Sequence, residues 1–305
     1  MEEKILLIIN PNASKGKARI KAEEIKDFFK SNNKDIHTVF TEHAGHAETL
    51  AYEGSISGYD TIIAAGGDGC INEVANGIMK AGGKAKMGII PIGRGNDYAF
   101  ALNIPSDVEK ACRLIAERRG KRVDVGLVKG GYFDEGRYFL NGTGFGFEPL
   151  VNFKAMEYKH INGMPSYVLA FIRILLKCPR PYDIELETDR EKVRLNTQQV
   201  SICIGRRMGS SFMLAPSALV DDGYFDILYT KHPFRSFGLI KAAIAFITGK
   251  HVSMKKDFEV YRAKEVKIRS QRSDIACHAD GEIVAKGDGK DFAVSLFANA
   301  LFIYC

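Results

Sequence analysis

TIIAAGGDGCINEV, from Thr61 to Val74, decides how the first third of the chain is read. Its apolar start has the length of a buried strand and stops at Gly66 and Gly67. From Ile71 the apolar residues recur at helical spacing. An apolar strand, a glycine turn and a helix in succession form one repeat of a parallel sheet covered on both faces. Asp68 sits inside the turn, between Gly67 and Gly69. Packing gives no reason for a carboxylate there, so a ligand is expected.

The same alternation extends both ways. KILLIIN, DIHTVFT and KMGIIPI have strand patterns. KARIKAEEIKDFFKS, HAETLAYEG and SDVEKACRLIAE have helical ones, the last opening on a Ser106 cap. After about Arg122 the texture changes to β-branched and aromatic runs such as YDIELET, VRLNTQQVSICI and DFAVSLFANALFIYC. RYFLNGTGF reads as another of these strands. Helical stretches near 149–177 and 234–249 interrupt them. The expected fold class is α/β, a doubly wound domain followed by a mostly antiparallel β domain, with a boundary near 125–130.

Lysine and arginine outnumber the acids by six, 43 against 37. The excess suits an anionic partner and suits solubility equally well. No apolar run approaches the ~20 residues of a membrane span. The N-terminus, MEEKILLIIN, is acidic and enters a strand at once, unlike a signal peptide. Six scattered cysteines without a CxxC pair point to a reducing cytoplasm and away from structural zinc. His43, His46 and His278 lack metal-ligand spacing, so a surface or turn role is expected for them.

Three loops follow strands in the first domain: NPNASKGKA, GGDGCIN and PIGRGNDYA. In a doubly wound sheet they share one edge, and the helix N-termini behind them present N–H groups to anions. They suit a phosphate site, although the order of a P-loop is absent. A carboxylate beside phosphate needs a cation, and magnesium is the natural one. The plainer role for Asp68 is to cap the helix beginning near Ile71.

GGDG followed by Asn72-Glu73 resembles the nucleotide loop of the bacterial diacylglycerol kinase and sphingosine kinase group of lipid kinases. The resemblance continues through NPNASKGKA, PIGRGNDYAFALNIP, VDVG at 123–126, APSALVDDGYFDILY at 215–229 and HADGE at 278–282, in family order. Three departures stand out. Cys70 and Arg94 each replace the family's Thr, and IGRRMGSSF lacks the family's Asn before its glycine-rich turn.

The resemblance implies a nucleotide domain like those of NAD kinase and phosphofructokinase, at 1–127 with 291–305, and a β-sandwich lipid domain at 128–290. It implies ATP as phosphoryl donor and magnesium. Asn10, Pro11, Asn12, Ala13 and Ser14 would line the phosphate loop, with Thr41 at the end of the second strand. Gly66, Gly67, Asp68, Gly69, Cys70, Ile71 and Asn72 would form the cradle, and Arg94 could reach a phosphate. In the DGE turn, Glu282 is chosen as general base and Asp280 as its neighbour in the metal–water network. The opposite assignment stays open, as does a plain β-turn. Asp222, with the carbonyls of Leu219 and Tyr224, would hold a structural magnesium at a turn that Asp-Gly alone would also explain. Asp124 would join its water network or simply end a strand.

A diacylglycerol substrate places the protein in the cytoplasm, peripheral at the inner membrane face. YVLAFIRILLK and FRSFGLIKAAIAFITGK could meet the bilayer or form core helices. Other acceptors remain open: phosphatidylglycerol, a sphingoid base, or NAD. A non-catalytic nucleotide sensor is the non-enzymatic rival. No nucleic-acid motif appears, and a homodimer is left open.

Overall fold

The structure is a computed structural model that describes residues 3–158, 164–176, 180–271 and 275–305. The chain divides into two compact units, Met1–Val125 with Ala298–Cys305, and Gly126–Phe297.

In the first unit, strands β1 (Ile5–Ile9), β2 (Ile36–Phe40), β3 (Thr61–Gly66) and β4 (Lys86–Pro91) run parallel in the order β2-β1-β3-β4. The last strand of the chain, Asp291–Ile303, reaches β4 in parallel through Ile303 and Met87. The helices are α1 (Ala18–Ser31), α2 (His46–Ile56), α3 (Asp68–Lys80), the short α4 (Asp97–Ala101) and α5 (Val108–Ala116). Every residue of β1 and β3 is buried, as a strand covered on both faces requires. α3 buries Ile71, Val74, Ala75 and Ile78, and each large aliphatic side chain so covered contributes about 1.5–3 kcal/mol. Gly77 lets α3 lie against α2, since a Cβ there would sit 2.7 Å from that of Ala51. The cap of α5 is Asp107, whose carboxylate accepts the Lys110 N–H at 2.9 Å. Ser106, expected as the cap, precedes it by one residue.

The second unit contains β5 (Lys121–Gly130, which starts in the first unit), β6 (Phe133–Phe139), β7 (Gly142–Gly146), α6 (Phe147–Met156) and α7 (Met164–Leu176). Next come β8 (Tyr182–Thr188), β9 (Lys192–Thr197), β10 (Gln199–Cys203), β11 (Phe225–Thr230) and α8 (Ser236–Thr248). β12 (Phe258–Ala263), β13 (Glu265–Ser270), β14 (Ile275–Ala279) and β15 (Glu282–Gly289) complete it. One antiparallel sheet has the order β12-β11-β10-β7-β14-β15. The other runs from the last strand through β13 and β8 to β9. Phe145 of the first sheet meets Phe292 of the second edge to face, 5.2 Å between centroids, so the sheets form a sandwich.

Two stretches that read as single strands change sheets midway. VRLNTQQVSICI breaks at Gln198, whose side chain accepts the Phe234 N–H (2.8 Å) and donates to the Phe234 carbonyl (3.1 Å). RYFLNGTGF breaks at Leu140 and Asn141, between β6 and β7. Among the described residues no helix is long and apolar enough to cross a membrane.

Candidate active site

The loops at the carboxyl ends of β1 to β4 are tied together by their backbones. The Asn10 N–H donates to Ala65 O (3.1 Å), Thr41 N–H to Ile9 O (2.8 Å) and Ser14 N–H to Ile92 O (3.0 Å). The Ile92 N–H donates to Gly66 O (3.0 Å). Gly67 and Gly93 touch: a Cβ on Gly67 would lie 3.3 Å from the Gly93 Cα, and one on Gly93 would run into the Gly67 backbone. A Cβ on Gly66 would meet Cys70 at 2.5 Å (Cβ) and 2.8 Å (Sγ). Cys70 therefore fills the space above Gly66. Burial, reinforced by the Glu73 charge, pushes its thiol up to about 12, so it stays protonated.

Asp68 is the first residue of α3, behind Gly67, which as N-cap has no side chain to cap the helix. Asp68 Oδ1 accepts the Tyr98 N–H of α4 at 3.3 Å. The Ile71 N–H donates to Gly67 O (3.0 Å), so the amides of Gly69 and Cys70 precede the helical ladder. α1 also starts without a side-chain cap and without an acid in its first turn. Uncapped helix starts favour anions.

The other cradle residues divide. Ile71 and Asn72 are buried in the body of α3, where Asn72 Oδ1 accepts from Asn76 Nδ2 (3.1 Å). In the first loop Asn10 Oδ1 accepts the Asn12 N–H (2.9 Å), and the Ala13 N–H donates to Asn10 O (3.1 Å), closing the turn around Pro11. Ser14 has φ of 54°, a left-handed conformation. Arg94 is exposed in the loop after β4. Glu73 has a clear structural part: it accepts the Gly45 N–H (2.9 Å) and the Ala47 N–H (3.1 Å), supplying the cap that α2 lacks in its own sequence.

Sequence reading passed over Asn96. It is left-handed (φ 52°), donates through Nδ2 to Gly93 O (3.3 Å), and buries an Oδ1 that accepts no hydrogen bond. The available signal was an Asn directly after a two-glycine loop.

In the second unit, Asp280 and Gly281 form a two-residue hairpin between β14 and β15, both with positive φ (48° and 91°) and with Ala279 opposite Glu282. The Asp280 carboxylate accepts three backbone N–H groups, from Leu140 (2.7 Å), Asn141 (2.9 Å) and Gly142 (2.8 Å). Asp280 thus fixes the place where β6 hands over to β7. Glu282 opens β15 and is half-buried. Beneath the turn lies His278, only 2 % exposed, which corrects the surface role expected for it, while its ring does serve the turn. The Gly281 N–H donates to its Nδ1 (3.1 Å), so its Nε2–H donates to Glu148 Oε1 (2.6 Å). Burial opposes a charge on this imidazole, but the Glu148 carboxylate outweighs it and holds the pKa above its ordinary value. Gly144 leaves the room that Glu148 occupies. Asn152 Nδ2 donates to Gly281 O (3.0 Å), and Tyr167 to Asn152 (3.2 Å), completing the support of the turn.

At the second acidic turn, Asp222 Oδ1 accepts the Tyr224 N–H (3.1 Å), and Gly223 supplies a φ of 75°. Asp222 Oδ2 is buried without a hydrogen bond, 3.2 Å from Arg262 Nη1. Burial pushes the nearby Asp226 carboxyl up, against the pull of Arg262. Asp222 Oδ2 is a hard oxygen of the kind magnesium takes, and its cationic partner here is Arg262, which a bound ion would have to displace or share it with. Leu219 lies on this turn with its side chain exposed. Among the described residues no three His, Cys, Asp or Glu side chains cluster as a metal cage. In the first unit Asp124, fully buried in β5, accepts the Asn299 N–H (2.8 Å).

Known proteins agree with these two units. A family described as diacylglycerol kinase catalytic domain matches residues 4–128. One described as YegS C-terminal NAD kinase beta sandwich-like domain matches residues 142–296. A diacylglycerol kinase of Bacillus subtilis (strain 168) is 28% identical over 90% of this chain and 88% of its own. One of Staphylococcus aureus (strain bovine RF122 / ET3-1) is 30% identical over 94% and 88%. Among solved structures, a diacylglycerol kinase of Bacillus anthracis str. Sterne superposes with a TM-score of 0.74 at 21% identity, covering 99% of this chain and 96% of that one. Yeast NADH kinase complexed with NADH gives 0.54 at 13% identity, covering 100% and 83%, a likeness of fold. With both halves matched in order and relatives aligned almost end to end, the chain belongs to the diacylglycerol kinase family of lipid kinases.

Proposed function

We propose that this chain transfers the γ-phosphoryl group of ATP to the hydroxyl of diacylglycerol, giving phosphatidic acid and ADP, with magnesium. Asp68 carries the proposal: a carboxylate between Gly67 and Gly69 at the start of α3, beside first-turn amides suited to phosphate.

The nucleotide falls to the first unit. Asn10–Ser14, Thr41, the Gly66–Cys70 turn and Arg94 are assigned to it. Gly66, Gly67 and Gly93 bring bare backbone to the sheet edge, and the first-turn amides of α3 can donate to phosphate oxygens. Asp68 would hold magnesium; when bound, the ion neutralises charge on the phosphates. The lipid falls to the second unit. There Glu282 accepts the proton of the attacking hydroxyl, whose oxygen bonds to the γ-phosphorus as the bond to the bridging oxygen of ADP breaks. The commitment of both Asp280 oxygens to backbone N–H groups supports Glu282 as the base. Asp222 Oδ2, with the carbonyls of Leu219 and Tyr224, is assigned a structural magnesium, and Asp124 is assigned to water around magnesium on resemblance alone. The reaction belongs at the inner face of the membrane, with the protein in the cytoplasm.

The test is magnesium-dependent transfer of labelled γ-phosphate to diacylglycerol in mixed micelles, with phosphatidylglycerol, sphingosine and NAD run alongside. Label in phosphatidic acid is expected. Label in another lipid would keep the chemistry and change the acceptor. Label in NAD alone, or in nothing, would overturn the proposal.

A further inference from the structure

Gly281 is the residue through which the fold holds Glu282. Asp280 and Gly281 have the left-handed φ values of a two-residue turn, which an Asp-Gly pair forms from local preference alone. Buried side chains nevertheless grip Gly281 on both sides. Its N–H donates to His278 Nδ1 (3.1 Å), and its carbonyl accepts from Asn152 Nδ2 (3.0 Å). That carbonyl belongs to the planar peptide that leads into Glu282, so its direction fixes where the Glu282 side chain starts. Packing does not do this: among the described residues beyond its chain neighbours, a Cβ on Gly281 would touch only Asn152 Nδ2, at 3.8 Å.

Each grip has its own backing. His278 and Asn152 are 2% and 8% exposed. The His278 ring commits its Nε2–H to Glu148 Oε1 (2.6 Å), so both ring nitrogens are engaged and the ring cannot turn away from Gly281. Glu148 Oε2 accepts from Ser201 Oγ (3.5 Å), which accepts from Gln199 Nε2 (2.9 Å). Tyr167 donates to Asn152 Oδ1 (3.2 Å). Glu148 and Asn152 stand one turn apart on α6, so one helix serves both sides of Gly281. A buried polar network adds little net stability over apolar packing of the same volume, but it specifies a geometry.

We propose that His278 and Asn152 are positioning residues of the phosphoryl transfer: by holding the N–H and carbonyl of Gly281 they aim the Glu282 carboxylate, and Glu148 keeps the imidazole in the tautomer that accepts. The proposal rests on Glu282 as the base. A base displaced by about 1 Å loses on the order of a hundredfold in rate, with substrate binding intact.

The test separates the two nitrogens of His278. An asparagine there puts an amide oxygen in the place of Nδ1 and keeps the Gly281 tie. A glutamine puts an amide nitrogen in the place of Nε2 and keeps the Glu148 tie. Both lose the ring, so His278→Asn and His278→Gln should melt at similar temperatures below that of the wild type. In the mixed-micelle assay His278→Gln should lower kcat about tenfold or more, with KM for ATP and for lipid unchanged, and His278→Asn should stay within about threefold of wild type. Asn152→Leu, which keeps the side-chain volume, should show the same loss of kcat as His278→Gln and stands in for it if that variant does not fold. In a Glu282→Gln background His278→Gln should lower the residual rate no further, because no base is left to aim. Equal kcat in the two His278 variants, a loss of kcat that follows melting temperature alone, or an additive loss in the Glu282→Gln background would overturn the inference and leave the kinase reading standing. Full turnover in Glu282→Gln alone would remove the base assignment, and the inference with it.

Discussion

Asp280 and Gly142 hold each other twice: the Asp280 N–H donates to Gly142 O at 2.9 Å, and the Gly142 N–H donates to Asp280 Oδ1 at 2.8 Å. The carboxylate also takes the N–H groups of Leu140 and Asn141. It clamps one hairpin turn to the crossing from β6 to β7, two residues before the proposed base. Asp280→Asn should therefore cost about 2–4 kcal/mol of stability, because an amide nitrogen then faces a backbone donor. Glu282→Gln should leave the melting temperature within about 2 °C while turnover falls about a hundredfold or more. Thermal melts beside kcat decide it, and the reverse pattern would give the base to Asp280.

Asp68→Asn is expected to lower turnover by about a hundredfold or more and to leave the fold intact. The asparagine oxygen can still accept the Tyr98 N–H, so the tie to α4 survives. A magnesium titration of the rate separates loss of a metal ligand from loss of nucleotide. Full activity in the folded variant would defeat the assignment.

Gly93→Ala should destabilise the protein by about 1–3 kcal/mol, since the new methyl runs into the Gly67 backbone. ATP binding should weaken with it, because the same contact sets the distance between the loops after β3 and β4. Urea midpoints and ATP titration by fluorescence check both. An unchanged midpoint would mean that the two glycines do not touch in solution.

Glu3 sets an acid limit. Burial alone would raise its pKa, but hydrogen bonds from Thr61, Arg118 and Lys34 outweigh burial and pull it to about 2. A folded value below the unfolded one stabilises the protein above the ordinary carboxylate range, about 4.3. That stability is lost as pH falls from there through about 2. Glu3→Gln should flatten the fall in urea midpoint across this window and lower the midpoint at neutral pH. A wild-type slope in the variant would show that other carboxylates dominate acid unfolding.

The sequence by itself determined what depends on neighbours along the chain. Strand, glycine turn and helix follow one another at Thr61–Val74, so apolar spacing and the conformational freedom of glycine were enough to place Asp68 at a strand end. Tertiary structure decided which groups meet across long separations. Periodicity shows which face of a segment is buried, but not what covers it. The sheet changes at Gln198 and Leu140 depend on Phe234 and Asp280, partners 36 and 140 residues away. Glu73 caps a helix 26 and 28 residues upstream, at Ala47 and Gly45. His278 looked like a surface residue because its partner, Glu148, lies 130 residues earlier. Asp280 and Glu282 were indistinguishable as bases in the chain, and only folding committed one of them to three backbone N–H groups, since a carboxylate's hydrogen bonds depend on what the fold brings to it.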